Sequence, residues 1–192
     1  MLQIRDLNVA KAGKTICRVP QLEVARGGRV AVIGTNGCGK TTLLRVISGL
    51  EGDYRGTCHV NVPQHQRVYL HQTPYLFRGS VLFNVAYGLA ARKMTRVESH
   101  RLAREWLEIL GIDQLVHRRC GHLSGGERRR VALARVFAIQ PDVLLLDEPF
   151  ADLDQAGIGQ VCHALTLLPN ATIVIASPTM LPDQLSMETC EM

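Results

Sequence analysis

Short apolar runs of strand length alternate along the chain with stretches in which apolar residues recur at helical spacing. Ile4–Val9 and Arg29–Ile33 read as strands. The second runs into Gly34 and a glycine-rich loop, then gives way to the helical pattern Leu43, Leu44, Val46, Ile47, which stops at Gly49. Two short β-like pieces follow, around His59–Val62 and Val68–Leu70. From Ser80 the pattern is helical for about 40 residues, with Thr95-x-x-Glu98 as a capping box and Ala103, Trp106, Leu107 and Leu110 on one face of a helix closed by Gly111. Ser124-x-x-Glu127 is a second capping box, opening a helix through Val131, Ala134 and Ala138 that halts before Pro141. Val143–Leu146 is continuously apolar, as expected of a parallel strand buried on both faces. A helix over Gln155–Leu168, with Ile158, Val161, Cys162 and Leu165 inward, precedes a last buried strand at Thr172–Ala176. Strands alternating with helices in this way predict a parallel α/β sheet, with the helical stretch from Ser80 as an insertion.

Composition narrows the class. At 192 residues, 46% hydrophobic and 20% charged, the chain has the length of one domain and enough apolar content to bury a core. Its longest apolar stretches, Val143–Leu146 and Ile173–Ala176, fall far short of the roughly 18 residues of a membrane span, and Arg5 and Asp6 interrupt the N-terminus, so neither a span nor a signal peptide is expected. The net charge of +5 is unevenly spread: all 22 basic side chains precede residue 136, and residues 136–192 carry 8 acidic ones. Arginines interleaved with apolar residues fit solvated helix faces, and nucleic acid is not expected as a partner. The six cysteines contain no C-x-x-C pair; they read as reduced thiols of a cytosolic protein, with no zinc site.

Two clusters carry chemistry. Gly34-Thr35-Asn36-Gly37-Cys38-Gly39-Lys40-Thr41 matches G-x-x-x-x-G-K-[ST] and lies between a strand and a helix, where the mechanism needs it. There the backbone N–H groups close around phosphate oxygens, the helix N-terminus adds positive dipole, Lys40 reaches the β and γ phosphates, and the Thr41 hydroxyl ligates Mg²⁺. Asp147 ends the apolar run Val143–Leu146 at the carboxyl edge of the expected sheet. It is placed to hold Mg²⁺ through water, and Glu148 beside it to polarise an attacking water.

With these in place, Leu123-Ser124-Gly125-Gly126-Glu127 resembles the signature motif of ATP-binding cassette (ABC) proteins, and the resemblance covers roughly residues 2–178. It implies an α/β P-loop NTPase of the ABC type: a mainly parallel sheet core with an N-terminal antiparallel β part and a helical subdomain. In one domain over 1–192, residues 1–72 and 123–192 would be the catalytic core and 73–122 the helical subdomain. The resemblance also implies a site. ATP and Mg²⁺ would be held by Gly34 to Thr42, with Thr42 extending the loop. Gln72 resembles the Q-loop glutamine, a metal contact and catalytic residue beside Glu148. Ser124, Gly125, Gly126 and Glu127 would face the γ-phosphate on a second copy of the cassette, with Asp154 in the D-loop Ala151-Asp152-Leu153-Asp154. The implied partners are that second copy, a transmembrane permease subunit and a solute-binding protein; the implied place is the cytoplasmic face of the inner membrane. Gln72 to Leu89 resembles the corresponding stretch of oxyanion importers, of the tungstate type above all.

Three departures qualify the resemblance. Pro178 stands where the family has a histidine that senses the γ-phosphate, and proline donates no hydrogen bond. Lys11 falls near the place of the adenine-stacking aromatic. Only 14 residues follow Pro178, too few for the strands and helices that commonly close the fold. Two rival readings stay open: a non-transport ABC ATPase that clamps another assembly, and a degenerate cassette that binds ATP and scarcely hydrolyses it.

Overall fold

The computed structural model describes residues 1–192, which divide into two compact units. The first comprises residues 1–72, 141–148 and 170–192; the second comprises 73–140 and 149–169. Residues 123–140 and 149–169, which the sequence assigns to the catalytic core, therefore group with the helical unit: their helices are packed by other helices.

The first unit holds two sheets and a helix. β1 (Leu2–Lys11), β2 (Lys14–Val24) and β4 (Arg55–Val60) form an antiparallel sheet in the order β2-β1-β4. β3 (Arg29–Ile33), β5 (Arg67–Leu70), β6 (Val143–Asp147), β7 (Thr172–Ser177) and β8 (Glu188–Glu191) form a parallel sheet in the order β5-β6-β7-β3-β8. Central β6 and β7 are buried at every position, which explains their unbroken apolar runs. α1 (Lys40–Ser48) follows β3, and its Leu43, Leu44, Val46 and Ile47 join one core with the inward faces of β1, β2, β3, β6 and β7.

β1 and β2 have a pattern that no single period describes. Leu2 and Ile4 are buried, then Leu7 and Val9; across the ladder Cys17 and Val19 are buried, then Leu22 and Val24. Both strands change face together at Asp6 and Pro20, where Asp6 takes φ +49° and the proline has no N–H for the ladder. The β1–β4 register shifts at the same place, and Gly56, at φ +87°, admits it: a Cβ there would lie 2.2 Å from the Asp6 carbonyl oxygen.

Of the strands and helices for which the residues after Pro178 were expected to be too few, one short edge strand, β8, is formed. It lies parallel to β3, and the Met192 N–H donates to the Ile33 carbonyl at 2.9 Å. Its sequence Glu-Thr-Cys-Glu is mostly exposed, so it carries no apolar pattern.

The second unit is helical: α2 (Val81–Ala91), α3 (Arg96–Ile109), α4 (Gly125–Ala138) and α5 (Gln155–Thr166), the last ending two residues earlier than its periodicity suggests. Single 3₁₀ turns at Asp113–Leu115 and Cys120–His122 divide the connection from α3 to α4. Trp106 of α3 packs on Phe137 of α4, and buried Asn84 of α2 ties down the preceding loop, donating to the Phe77 carbonyl and accepting from its N–H.

Candidate functional site

In the first unit the loop between β3 and α1 is wrapped around a lysine. Gly37 and Gly39 take φ +84° and +107°, and a Cβ on Gly39 would come within 2.4 Å of the Ile16 carbonyl oxygen, so only glycine lets α1 start against β2. Lys40 is buried, and its ammonium donates to the Gly34 carbonyl at 2.6 Å and the Thr35 carbonyl at 2.9 Å. The first turn of α1 carries no acidic residue, so its dipole and the Lys40 charge both favour an anion there.

Asp147, the last residue of β6, is 1% exposed. One of its oxygens, Oδ2, accepts from Thr41 Oγ1 at 2.7 Å and from the Tyr69 hydroxyl at 3.2 Å. Burial, together with the neighbouring Asp147 charge, pushes the Tyr69 phenol far above its ordinary value, so it remains a donor. Glu148 adopts φ +49°, and its N–H donates to the Ala176 carbonyl, which fixes the backbone where the strand ends.

A cleft of about 400 Å³ brings much of the expected set together: Asn36, Gly37, Gly39, Lys40, Thr41, Thr42, Gln72 and Glu148 line it, with Ile16. Gly34 and Thr35 hold Lys40 through their carbonyls, Cys38 has its Sγ 4.0 Å from the Lys40 ammonium, and Asp147 reaches the cleft through Thr41. Two residues stand apart from the sequence reading. Lys11 is not in the lining; its ammonium pairs with Glu51 at 2.8 Å. Pro178 is exposed and outside the lining too.

In the second unit a cleft of about 550 Å³ is lined by Ser124, Gly125, Gly126, Glu127, Arg130, Asp152, Leu153 and Asp154. The Ser124 hydroxyl accepts from the Glu127 N–H at 3.2 Å, while Glu127 Oε2 accepts from the Ser124 N–H at 2.7 Å. This box uses the N–H groups of residues 124 and 127 and leaves those of Gly125 and Gly126 without an intrahelical acceptor. The Ser124 N–H holds the Glu127 carboxyl below its ordinary value. Gly126 has no room for a side chain, since a Cβ would meet the Asp152 carbonyl oxygen at 2.7 Å. Buried Arg129 reaches Asp152 at 3.6 Å, and Asp154 caps α5 by accepting from the Gly157 N–H at 2.8 Å.

A family model described as "ABC transporter" matches residues 17–151, well over half of the chain, including the phosphate loop, residues 123–127 and Asp147 with Glu148. The chain belongs to the ABC transporter family. This cassette is 40% identical to a sulfate/thiosulfate import ATP-binding protein of Methylococcus capsulatus, covering 80% of the chain and 48% of the relative. It is 40% identical to a molybdate/tungstate import ATP-binding protein of Thermococcus kodakarensis over 74% of the chain and 46% of the relative. A tungstate uptake system ATP-binding protein of Peptoclostridium acidaminophilum is 37% identical over 80% of the chain and 74% of its own length. The chain thus spans about half the length of the sulfate and molybdate/tungstate relatives. Among solved structures, a Clostridium perfringens subunit described as part of an ABC transporter complex matches with TM-score 0.79 and 28% identity, covering 93% of this chain and 78% of that one. A dimeric bacterial ABC transporter cassette matches with TM-score 0.83 and 21% identity, covering 93% and 88%, which speaks for the fold.

Tyr69, which donates to Asp147 behind the first cleft, and Ile16 in the cleft's lining were not legible in the sequence. Tyr69 lies on β5, one place before the strand's end, in a four-residue run too short to tell an inward ring from an edge one. Ile16 lies on β2, whose change of face hides its register.

Proposed function

We propose that the chain is the ATP-binding and hydrolysing subunit of an ABC importer, driving a separate membrane permease. The observation that carries this is one cleft lined by the phosphate loop, Gln72 and Glu148, with Thr41 hydrogen-bonded to buried Asp147 behind it. The loop N–H groups and Lys40 receive the triphosphate, with Lys40 exchanging the Gly34 and Thr35 carbonyls for phosphate oxygens. Hard oxygen donors held 2.7 Å apart at a helix N-terminus free of acids fit Mg²⁺ beside phosphate: Thr41 would ligate it, and Asp147 and Gln72 would hold it through water. Bound there, Mg²⁺ supplies charge neutralisation for the phosphates. Glu148 orients a water and accepts its proton as the water oxygen bonds to the γ-phosphorus and the bond to ADP breaks.

The second cleft completes the reading. With the amides of Gly125 and Gly126 uncommitted at the start of α4, it suits the γ-phosphate of an ATP held by another copy, so that two chains enclose two nucleotides. For the permease, the exposed rings of Tyr75, Phe83 and Tyr87 and a groove of about 680 Å³ between α2 and α3, with Arg96, His100, Arg104 and His117 in its lining, offer an apolar floor with a basic margin. No helix is long and apolar enough to cross a membrane. The chain then works peripherally at the cytoplasmic face of the inner membrane. Similarity to sulfate/thiosulfate and molybdate/tungstate import proteins supports a tetrahedral oxyanion as cargo, delivered by a solute-binding protein. Pro178 favours slow hydrolysis, because the loop after β7 lacks an imidazole donor there.

Phosphate release from MgATP by the purified chain with its permease tests the reading: wild type should turn over and Glu148→Gln should not. Equal rates for the two would exclude Glu148 as the base.

A further inference from the structure

Asp147 is a buried carboxylate that makes no ion pair. Buried charges are ordinarily paired with an opposite charge or turned to a metal, yet both partners of this one are neutral hydroxyls. Both fall on the same oxygen: Oδ2 accepts from Thr41 Oγ1 at 2.7 Å and from the Tyr69 hydroxyl at 3.2 Å, so Oδ1 takes neither. The two donors are placed differently. Thr41 stands in the first turn of α1 and lines the cleft, whereas Tyr69 lies outside the lining. Tyr69 reaches the carboxylate across the sheet: its partner on β6 is Leu145, and Asp147, two places on, shares the Leu145 face. Its ring is half-buried against the core that holds Leu43, Leu44 and Leu145, and meets His71 edge-on at 6.0 Å. Packing of the ring thus sets where the hydroxyl sits, and the hydroxyl sets where Oδ2 points.

We infer that Tyr69 is a positioning residue for the metal, its hydroxyl holding the Asp147 carboxylate with Oδ2 turned to β5 and α1 and Oδ1 left for Mg²⁺ and its water. The inference rests on reading the cleft as a site for MgATP. On that reading Thr41 gives its oxygen to the cation, which leaves the phenol as the partner of Asp147 with no other task. Groups that orient a metal's ligands are worth about 10–100-fold in metal affinity. Lys40 is held by the Gly34 and Thr35 carbonyls and not by Asp147, so the phosphate contacts of Lys40 and the loop amides do not depend on the phenol. Its effect is confined to binding with metal.

Calorimetric titration of the purified full chain with ATP, once with excess Mg²⁺ and once with EDTA, tests this for wild type and for Tyr69→Phe, which keeps the ring. Wild type should bind more tightly with Mg²⁺. The variant should lose about 10–100-fold of the affinity measured with Mg²⁺ and stay within about twofold of wild type in EDTA. Equal losses in both conditions would make Tyr69 a structural residue only, and no loss in either would show that Asp147 needs no phenol; each overturns the inference. Asp147→Asn removes the carboxylate that the phenol serves, and adding Tyr69→Phe to it should change neither affinity. A further loss with Mg²⁺ in the double variant would show that the phenol acts elsewhere, and would overturn the inference too. The double variant buries no charge short of a donor, so it tests the inference even if Tyr69→Phe alone does not fold. A wild type that binds ATP equally with Mg²⁺ and with EDTA, or not at all, would instead refute the MgATP reading of the cleft, and the inference with it.

Discussion

Lys40 and Asp147 are the two buried charged residues on which the first cleft depends, and each is satisfied in a way that fits an incoming ligand. Lys40 is held by two carbonyls, which are uncharged partners that phosphate oxygens outcompete. Lys40→Ala should therefore weaken MgATP binding by about 10–150-fold, the equivalent of about 1.5–3 kcal/mol for charge-assisted hydrogen bonding, as read by calorimetric titration. Unchanged affinity would place the nucleotide elsewhere. Asp147 keeps one oxygen between Thr41 and Tyr69, and removing the phenol leaves a buried carboxylate short of a donor. Tyr69→Phe should lower the free energy of unfolding by about 1.5–3 kcal/mol in urea. No change would mean that Asp147 finds another donor.

At the scale of elements, the two capping boxes fix where α3 and α4 begin, and both rest on carboxylates. Hydrogen bonds from Thr95 lower the Glu98 value, and those from Ser124 lower that of Glu127. A lowered carboxylate contributes stability that is complete above its ordinary value of 4.5 and lost as the pH falls through the lowered one. Ser124→Ala should cost about 1 kcal/mol at pH 7, and the gap from wild type should narrow as the pH falls through the lowered Glu127 value, because the protonated carboxyl no longer gains from the Ser124 hydroxyl that the variant lacks. A gap that stays constant on acidification would detach the cap from the carboxylate. These boxes were readable because their spacing is local, and β6 and β7 because burial on both faces leaves unbroken apolar runs. β2 was not readable, since Pro20 and the shared change of face break its alternation, and β8 was not, since an exposed edge strand needs no apolar pattern. The phosphate loop, Asp147 and Glu148 were legible from sequence spacing. The Tyr69–Asp147 bond joins residues 78 apart and could be seen only once β5 and β6 were paired.

At the scale of the whole molecule, the function proposed above makes each chain a carrier of two half-sites that work only when two copies pair. Pro178 is exposed in the loop after β7 and offers no hydrogen-bond donor, and on the function proposed above it would restrict the rate. Turnover of wild type with its permease should fall below the ordinary range of about 1–10³ s⁻¹. Pro178→His should raise it, by up to about 10²–10³-fold if the imidazole acts as a positioned donor. Ordinary turnover in wild type would show that another group supplies that donor. Pairing around ATP shows in the solution mass of Glu148→Gln with and without MgATP, read by size-exclusion chromatography with light scattering. Twice the monomer mass is expected with MgATP and the monomer mass without it; a variant that binds MgATP and stays monomeric would rule pairing out.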